Sequence, residues 1–143
     1  MTEEKKVKIV YMDMVGDLFH WGHVQMFKDA LQYGETLYVG VHSDEVVTSY
    51  KRTPILNMRE RISVIETCRY VDQVIPNAPL HITEEYMDMH NIDLVIHGHT
   101  QEEDSIYRDM YAVPVKLGKF KRMKYHDGIS TTEIIERIKE RFK

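Results

Sequence analysis

The alternation of short β-rich runs with amphipathic segments constrains the fold of this chain more than any other feature of its sequence. The β-rich runs predict five strands, at residues 7–12, 37–41, 74–75, 94–96 and 120–124. The amphipathic segments between them predict helices. Strands that alternate with helices pair in parallel, so we expect an α/β fold with a doubly wound, mostly parallel five-stranded sheet and helices on both faces.

Caps and glycines define where the predicted helices begin and end. The first helix is expected to stop at Gly34. Asn57 with Glu60, and Ser130 with Glu133, match the capping-box pattern that opens a helix. The remaining helices are expected at residues 83–90 and 102–113. The terminal helix is expected to dock on the body through one apolar stripe, Ile134, Ile135, Ile138 and Phe142.

The composition argues against several classes of function. The chain has 143 residues and a net charge of −4, which argues against a nucleic-acid partner. No apolar run approaches the roughly 18 residues that a membrane span needs. One domain over residues 1–143 is expected, with residues 1–6 as a disordered leader. The single cysteine, Cys68, cannot form an internal disulfide, so a cytoplasmic location is expected.

The segment from His20 to His23, with the sequence His-Trp-Gly-His, falls where the first predicted strand hands over to the first helix. Backbone amides and the helix dipole attract phosphate at such a position. Paired imidazoles can stabilise charge on phosphate oxygens, and Gly22 lets the backbone come close. A surface pair or a metal site are the alternatives for the two histidines. Asp17 could bind magnesium or hold the loop in place.

A second pair of histidines, in His97-Gly98-His99, follows the predicted strand at residues 94–96. The carboxyl ends of parallel strands meet at one edge of a sheet, so this segment should lie beside the first pair and near a nucleotide base. Packing histidines are an equal alternative. Between the two pairs, residues 51–69 hold five basic residues against two acidic ones, which makes them a candidate phosphate-binding region.

Five segments in this order resemble the cytidylyltransferase family, within the nucleotidyltransferases that share the His-x-Gly-His motif. Its relatives include the phosphocholine, phosphoethanolamine and glycerol-3-phosphate enzymes. The segments are Asp-Leu-Phe-His-Trp-Gly-His at 17–23, Ser-Asp-Glu at 43–45, Lys51, Arg-Tyr-Val-Asp at 69–72 and Gly-Ile-Ser-Thr-Thr at 128–132. The resemblance covers nearly the whole chain and implies a Rossmann-like fold.

The resemblance also implies roles for residues of this chain. Lys51 would bridge the phosphates of nucleotide and acceptor, although a solvated loop is the alternative. Arg61 and Arg69 would serve the structure or the phosphate and acceptor site. Ser130 and Thr131 would hold the β and γ phosphates while capping the last helix. The nucleotide-binding set would be Val15, Gly16, Asp17, Gly22, His97, Gly98, His99, Gly128 and Ile129.

The chain departs from the family pattern at four places. Met14-Val15-Gly16-Asp17 stands where the family usually has Gly-Thr-Phe-Asp or Gly-Ile-Phe-Asp, so the nucleotide loop should be shaped differently. Tyr125 replaces a usual arginine, Leu80 a usual tryptophan, and Thr100 a usual aspartate. These changes touch regions that contact the base or the acceptor, and they leave the acceptor open.

The reaction expected from the resemblance is transfer of CMP from CTP, with Mg²⁺, to a small phosphorylated alcohol or a phosphonate. The products would be a CDP-alcohol or a CMP-phosphonate and pyrophosphate. His20 and His23 would stabilise the transition state, Lys51 would orient donor and acceptor, and no metal site of the protein's own is expected. Adenylyl transfer from ATP and a regulatory nucleotide-binding module are the alternatives. A homodimer with small-molecule substrates is expected.

Overall fold

The computed structural model describes residues 7–124 and 129–143. The expected leader at residues 1–6 and the expected nucleotide-binding Gly128 lie outside these residues, as does Tyr125. Within the described part of the chain, no helix is long and apolar enough to cross a membrane.

Five strands form one all-parallel sheet in the order β3-β2-β1-β4-β5. They are β1 (Ile9–Met14), β2 (Thr36–Val41), β3 (Gln73–Ile75), β4 (Leu94–Gly98) and β5 (Phe120–Met123). The chain builds outward from β1 on one side and then crosses to β4 on the other. The Rossmann-like α/β fold is therefore confirmed, and the reversal between β1 and β4 opens a crevice at their carboxyl ends.

The helices are α1 (Trp21–Ala30), α2 (Asp44–Tyr50), α3 (Met58–Ile65), α4 (Glu84–Met89), α5 (Asp104–Tyr107), α6 (Ala112–Lys116) and α7 (Thr131–Arg141). The predicted caps are confirmed for three of them. Asn57 and Glu60 form a reciprocal capping box on α3, and Thr83 and Ser130 cap α4 and α7.

Two predictions about helices are wrong. The expected helix at residues 102–113 is broken: a 3-10 turn and α5 end at Tyr107, and α6 begins at Ala112 with Pro114 in its first turn. Proline fits there because amides of a first turn have no partner within the helix. The docking stripe of α7 is also shorter than expected, since Ile138 and Phe142 are exposed.

The core lies on both faces of the sheet because side chains alternate along each strand. Val10 and Met12 of β1 join the cluster that contains Phe27 of α1. Tyr11 between them joins the opposite cluster, with Met87 of α4 and Tyr111. This alternation places Asp13, two residues after Tyr11, on the Tyr111 side of the sheet.

Candidate active site

A cavity of about 810 Å³ opens at the carboxyl ends of β1 and β4. Its wall combines the turn after β1, the start of α1, the end of α2, the end of β4 and the start of α7. The predicted site residues that line it are Val15, Gly16, Asp17, His20, Gly22, His23, Lys51, His97, Gly98, Ile129, Ser130 and Thr131. Segments more than 100 residues apart in sequence therefore meet around one space.

His20 and His23 cap α1 with their own rings. Nδ1 of His20 accepts a hydrogen bond from the Gly22 amide, and Nδ1 of His23 accepts one from the His20 amide, both at 3.1 Å. A neutral imidazole that accepts at Nδ1 carries its proton on Nε2. The ring centroids are 3.9 Å apart. The two histidines therefore offer adjacent Nε2–H donors at the start of a helix.

The environment keeps both imidazoles neutral. Burial lowers the pKa of His20. Burial, and next the neighbouring His20, lower the pKa of His23 to about 3, although Asp17 acts in the opposite direction. Two uncharged rings can pack together without the repulsion that two imidazolium ions would have. The pair is suited to hydrogen-bond phosphate oxygens rather than to act as a charged clamp.

Gly22 is required by the packing of the turn. A Cβ at this position would lie 2.9 Å from two atoms of the His20 ring and 3.1 Å from Cγ2 of Ile129. Its missing side chain thus leaves room for the capping imidazole and for the chain that leads into α7. Close approach of a phosphate, the reason expected from sequence, is an additional use of the same space.

Asp17 holds the loop around the site together. Its two carboxylate oxygens accept hydrogen bonds from the amides of Ile55 and Leu56, at 2.8 and 3.0 Å. Its backbone carbonyl accepts one from Oγ1 of Thr131 at 2.9 Å. Of the two roles expected for Asp17, the structure shows the one in the loop. Among residues 7–124 and 129–143, no three His, Cys, Asp or Glu are grouped so as to hold a metal ion.

Lys51 directly follows α2 and lines the cavity. Its ammonium group lies 5.5 Å from the centre of the Tyr50 ring. Burial and the neighbouring Arg52 lower its pKa, while Asp13 and Glu103 raise it. A partly desolvated lysine interacts strongly with a phosphate that enters the same space.

Ser130 and Thr131 bring the start of α7 to the cavity. Oγ of Ser130 accepts a hydrogen bond from the Glu133 amide at 3.1 Å, so the serine is a helix cap. Because a hydroxyl can accept and donate at once, this cap keeps its O–H for a ligand. Both expected roles of Ser130 are therefore compatible in one geometry.

Of the predicted site residues that the structure describes, three do not line the cavity. The guanidinium of Arg61 is fully buried and donates to the carbonyls of Leu56 and Val15, at 3.0 and 2.6 Å, and to Asp44 at 2.7 Å. Arg61 thus serves the structure, one of its two expected roles. Arg69 is exposed and donates to the Tyr70 hydroxyl.

His99, the third of these residues, is buried behind His97, with a distance of 2.9 Å between their Nδ1 atoms. Gly16, by contrast, lines the cavity in a left-handed conformation, with φ of +70°. A Cβ at Gly16 would lie 2.5 Å from Cδ1 of Ile65. Two features therefore favour glycine over the family's usual phenylalanine at this position: the left-handed backbone and the lack of space beside Ile65.

The sequence reasoning missed a polar cluster at the inner end of the cavity. Asp13 is buried and accepts hydrogen bonds from the Tyr111 hydroxyl at 2.5 Å and from Nε2 of His42 at 3.3 Å. Nδ1 of His42 lies 2.8 Å from the Tyr50 hydroxyl. Asp13 and His42 stand at or just after the carboxyl ends of two neighbouring strands, and that position was the signal that could have identified them.

The Asp13 carboxylate places a negative charge in this cluster. Burial by itself would raise the pKa of Asp13, but the hydrogen bond and electrostatic influence of His42, the nearby His97 and the hydrogen bond from Tyr111 hold it below the ordinary value. The cavity lining therefore combines neutral hydrogen-bond donors and the Lys51 amine with a buried carboxylate and aromatic side chains.

Comparison with known proteins identifies the family of this chain. The family model described as Cytidylyltransferase-like matches residues 16–137. The ethanolamine-phosphate cytidylyltransferase of Dictyostelium discoideum is 42% identical over 137 residues, which are 92% of this chain and 38% of that protein. The choline-phosphate cytidylyltransferase 2 of Arabidopsis thaliana is 38% identical over 133 residues, 90% of this chain and 44% of that protein. The chain thus spans less than half of these relatives' length.

A solved structure shares the fold. The lipopolysaccharide core biosynthesis protein from Thermoplasma volcanium GSS1 superposes with a TM-score of 0.67 at 23% identity, over 85% of this chain and 99% of that one. At this level of identity the likeness concerns the arrangement of strands and helices.

Proposed function

This chain belongs to the cytidylyltransferase-like family, and from that premise we propose that it transfers CMP from CTP to a small phosphorylated alcohol and releases pyrophosphate. The observation that carries the proposal is the meeting of three phosphate-binding features around one cavity. These are the neutral donors His20 and His23, the amine of Lys51, and the start of α7 with Ser130.

The residues present fit an in-line displacement. An oxygen of the acceptor's phosphate attacks the α-phosphorus of CTP, a new P–O–P linkage forms, and the bond to the β-phosphate breaks with its electrons leaving on pyrophosphate. The attacking oxygen is already anionic, so no base has to remove a proton. Such a reaction depends on positioning and on stabilisation of phosphate charge. The Nε2–H donors of His20 and His23 and the charge of Lys51 provide that stabilisation.

We propose that α7 receives the departing pyrophosphate. The first amides of this 11-residue helix and the hydroxyls of Ser130 and Thr131 lie at one wall of the cavity. Mg²⁺ would enter bound to the triphosphate, as is usual for this ion, and would neutralise phosphate charge.

The inner end of the cavity favours an acceptor with a positive charge. A buried carboxylate beside Tyr50 and Tyr111 matches an ammonium group better than the neutral hydroxyls of glycerol. Phosphorylated amino alcohols carry a phosphate that suits the donors and Lys51 and an ammonium that suits the Asp13 carboxylate, and phosphonates with an amine offer the same two kinds of charge. The names of the relatives, ethanolamine-phosphate and choline-phosphate cytidylyltransferases, agree with this class.

Pyrophosphate release tests the proposal. The protein is incubated with Mg²⁺ and either CTP or ATP, together with phosphoethanolamine, phosphocholine, glycerol 3-phosphate or 2-aminoethylphosphonate. We expect release with CTP and an amine-bearing acceptor. Release with ATP alone would identify an adenylyltransferase, and nucleotide binding without release for any acceptor would indicate a regulatory module. Light scattering on the same sample tests the expected homodimer.

A further inference from the structure

A chain of hydrogen bonds leads from the cavity to the surface beside β4. Nδ1 of His97 lies 2.9 Å from Nδ1 of His99, and Nε2 of His99 lies 2.6 Å from a carboxylate oxygen of Asp104. The other oxygen of Asp104 is 3.3 Å from Nη1 of Arg122. His97 lines the cavity, His99 is buried behind it, and Asp104 is half exposed.

This chain determines which nitrogen of His97 carries the proton. A carboxylate can only accept, so His99 donates to Asp104 from Nε2–H. With Nε2–H of His99 donating to Asp104, Nδ1 of His99 can accept, and the short contact between the two Nδ1 atoms then has His97 donating from Nδ1–H. Burial lowers the pKa of His97 to about 4, with a further contribution from His99, so its ring is neutral. A neutral ring protonated at Nδ1 has a lone pair at Nε2.

That lone pair is available to a ligand in the cavity. The hydrogen bond between His97 and His99 uses Nδ1 of His97, which leaves Nε2 for a ligand. Among the described residues, the fully buried polar side-chain atoms all have hydrogen-bond partners. His97 and Asp13 each influence the other's pKa, so the two side chains lie close together. The inner end of the cavity thus offers hydrogen-bond acceptors from two residues. In this respect His97 differs from His20 and His23, which present Nε2–H donors.

From this geometry we infer that His99 and Asp104 are positioning residues that hold His97 as an acceptor, and that His97 together with Asp13 selects a primary ammonium over a quaternary one. The inference rests on the proposed function and specifies its acceptor. A primary ammonium has three N–H donors, whereas a trimethylammonium has none and relies on aromatic faces.

The aromatic side chains of the region support the same choice. The ring of Tyr111 packs against His97 and Phe120, with centroids 4.9 and 5.0 Å apart. The ring of Tyr107 packs against His97 and His99, at 4.6 and 5.0 Å. These rings contact one another and the histidines, so they are less suited to form a cage around methyl groups than the acceptors are to bind N–H.

The test combines steady-state kinetics with an NMR measurement of which ring nitrogen of His97 is protonated. At pH 8, kcat/KM is measured with CTP for phosphoethanolamine and for phosphocholine, in the wild type and in Asp104→Ala. We expect a higher kcat/KM for phosphoethanolamine than for phosphocholine in the wild type. In the variant this ratio should fall about 10-fold, through a higher KM for phosphoethanolamine, because a hydrogen bond to a charged group is weakened. ¹⁵N NMR of labelled histidine, assigned with His97→Gln, should show Nε2 of His97 unprotonated in the wild type and partly protonated in Asp104→Ala.

Two further variants separate this role from a structural one. Asp104→Asn keeps an oxygen that accepts from His99, so it should restore both the preference and the His97 signal. Glu102→Gln removes a nearby exposed carboxylate and should change neither. A preference for phosphocholine in the wild type would overturn the inference, as would an unchanged preference or an unchanged His97 signal in Asp104→Ala. Absence of transfer to any acceptor would instead refute the proposed function, and the NMR signal of the free protein would still report the tautomer.

Discussion

At the scale of single residues, the site uses side chains that have a structural and a chemical task at once. His20 and His23 accept hydrogen bonds from backbone amides at the start of α1 through Nδ1. Each ring is thereby held in the tautomer with its proton on Nε2, which can donate to a ligand. Ser130 caps α7 and keeps a hydroxyl at the cavity. The two histidines on either side of Gly22, which the sequence assigns to phosphate chemistry, therefore have a defined tautomer.

Replacement of His23 by Ala should lower kcat by about 10²- to 10³-fold, the usual cost of losing one donor that stabilises transition-state charge. The measurement is pyrophosphate release at saturating CTP and acceptor. Trp21→Phe, which changes an exposed residue of the same turn, is the matched control and should retain wild-type turnover. Comparable loss in both variants would mean that the turn is simply disrupted.

The free energy of unfolding should fall as the pH is lowered from 7 to 5. Histidines that are buried neutral have a lower pKa in the folded state, so below the unfolded value the unfolded chain binds more protons and is favoured. With a pKa of about 3 for His23, the loss is about 2 kcal/mol over this range for that group. Urea denaturation at the two pH values measures it. His23→Gln should show a shallower dependence, and an equally steep one would contradict the assignment.

At the scale of elements, the helices that carry site residues are held to the sheet by hydrogen bonds from outside the helices themselves. Arg61 of α3 donates to the loop after β1 and to Asp44 of α2, and Asp17 joins the loop before α3 to α7. This arrangement explains why Arg61 matches a family arginine without reaching the cavity. It also explains how α2, which the sequence reasoning did not predict, brings Lys51 into place.

Replacement of Arg61 by Ala should lower the free energy of unfolding by about 3–5 kcal/mol, because buried carbonyls and a carboxylate lose their donor. Urea denaturation gives the value. Arg59→Ala, on the exposed side of the same helix, should stay within about 0.5 kcal/mol of the wild type. Wild-type stability with only a raised KM for the acceptor would instead assign Arg61 to acceptor binding.

At the scale of the whole molecule, the site exists only when the sheet is complete. Four parts of the chain meet around the cavity: the turn after β1, the end of α2, the end of β4 and the start of α7. They meet because the strands of the sheet run in parallel and the strand order reverses between β1 and β4. Ligand binding should therefore stabilise the fold as a unit.

Mg²⁺ with CTP at about 100 times its dissociation constant should raise the free energy of unfolding by about 2.7 kcal/mol, because a ligand that binds only the folded chain stabilises it by this amount. Thermal unfolding in a CTP titration measures the effect. Lys51→Ala should need a higher CTP concentration for the same shift, and Lys116→Ala, far from the cavity lining, should not. Equal stabilisation by ATP at the same concentration would contradict the preference for cytidine.

The sequence by itself determined the parallel α/β fold, the caps of α3, α4 and α7, and the proposal that His20 with His23, Lys51 and Ser130 bind phosphate. These depend on local periodicity, on capping chemistry and on a motif of known spacing, all of which can be read along the chain. Only the tertiary structure decided that Asp13, His42 and Tyr111 form a hydrogen-bonded cluster in the cavity, that Arg61 is buried in the framework, and that Asp104, His99 and His97 form a chain of hydrogen bonds. The physical reason is that these roles depend on contacts between distant segments and on desolvation. Neither of these produces a recognisable periodic pattern in the sequence.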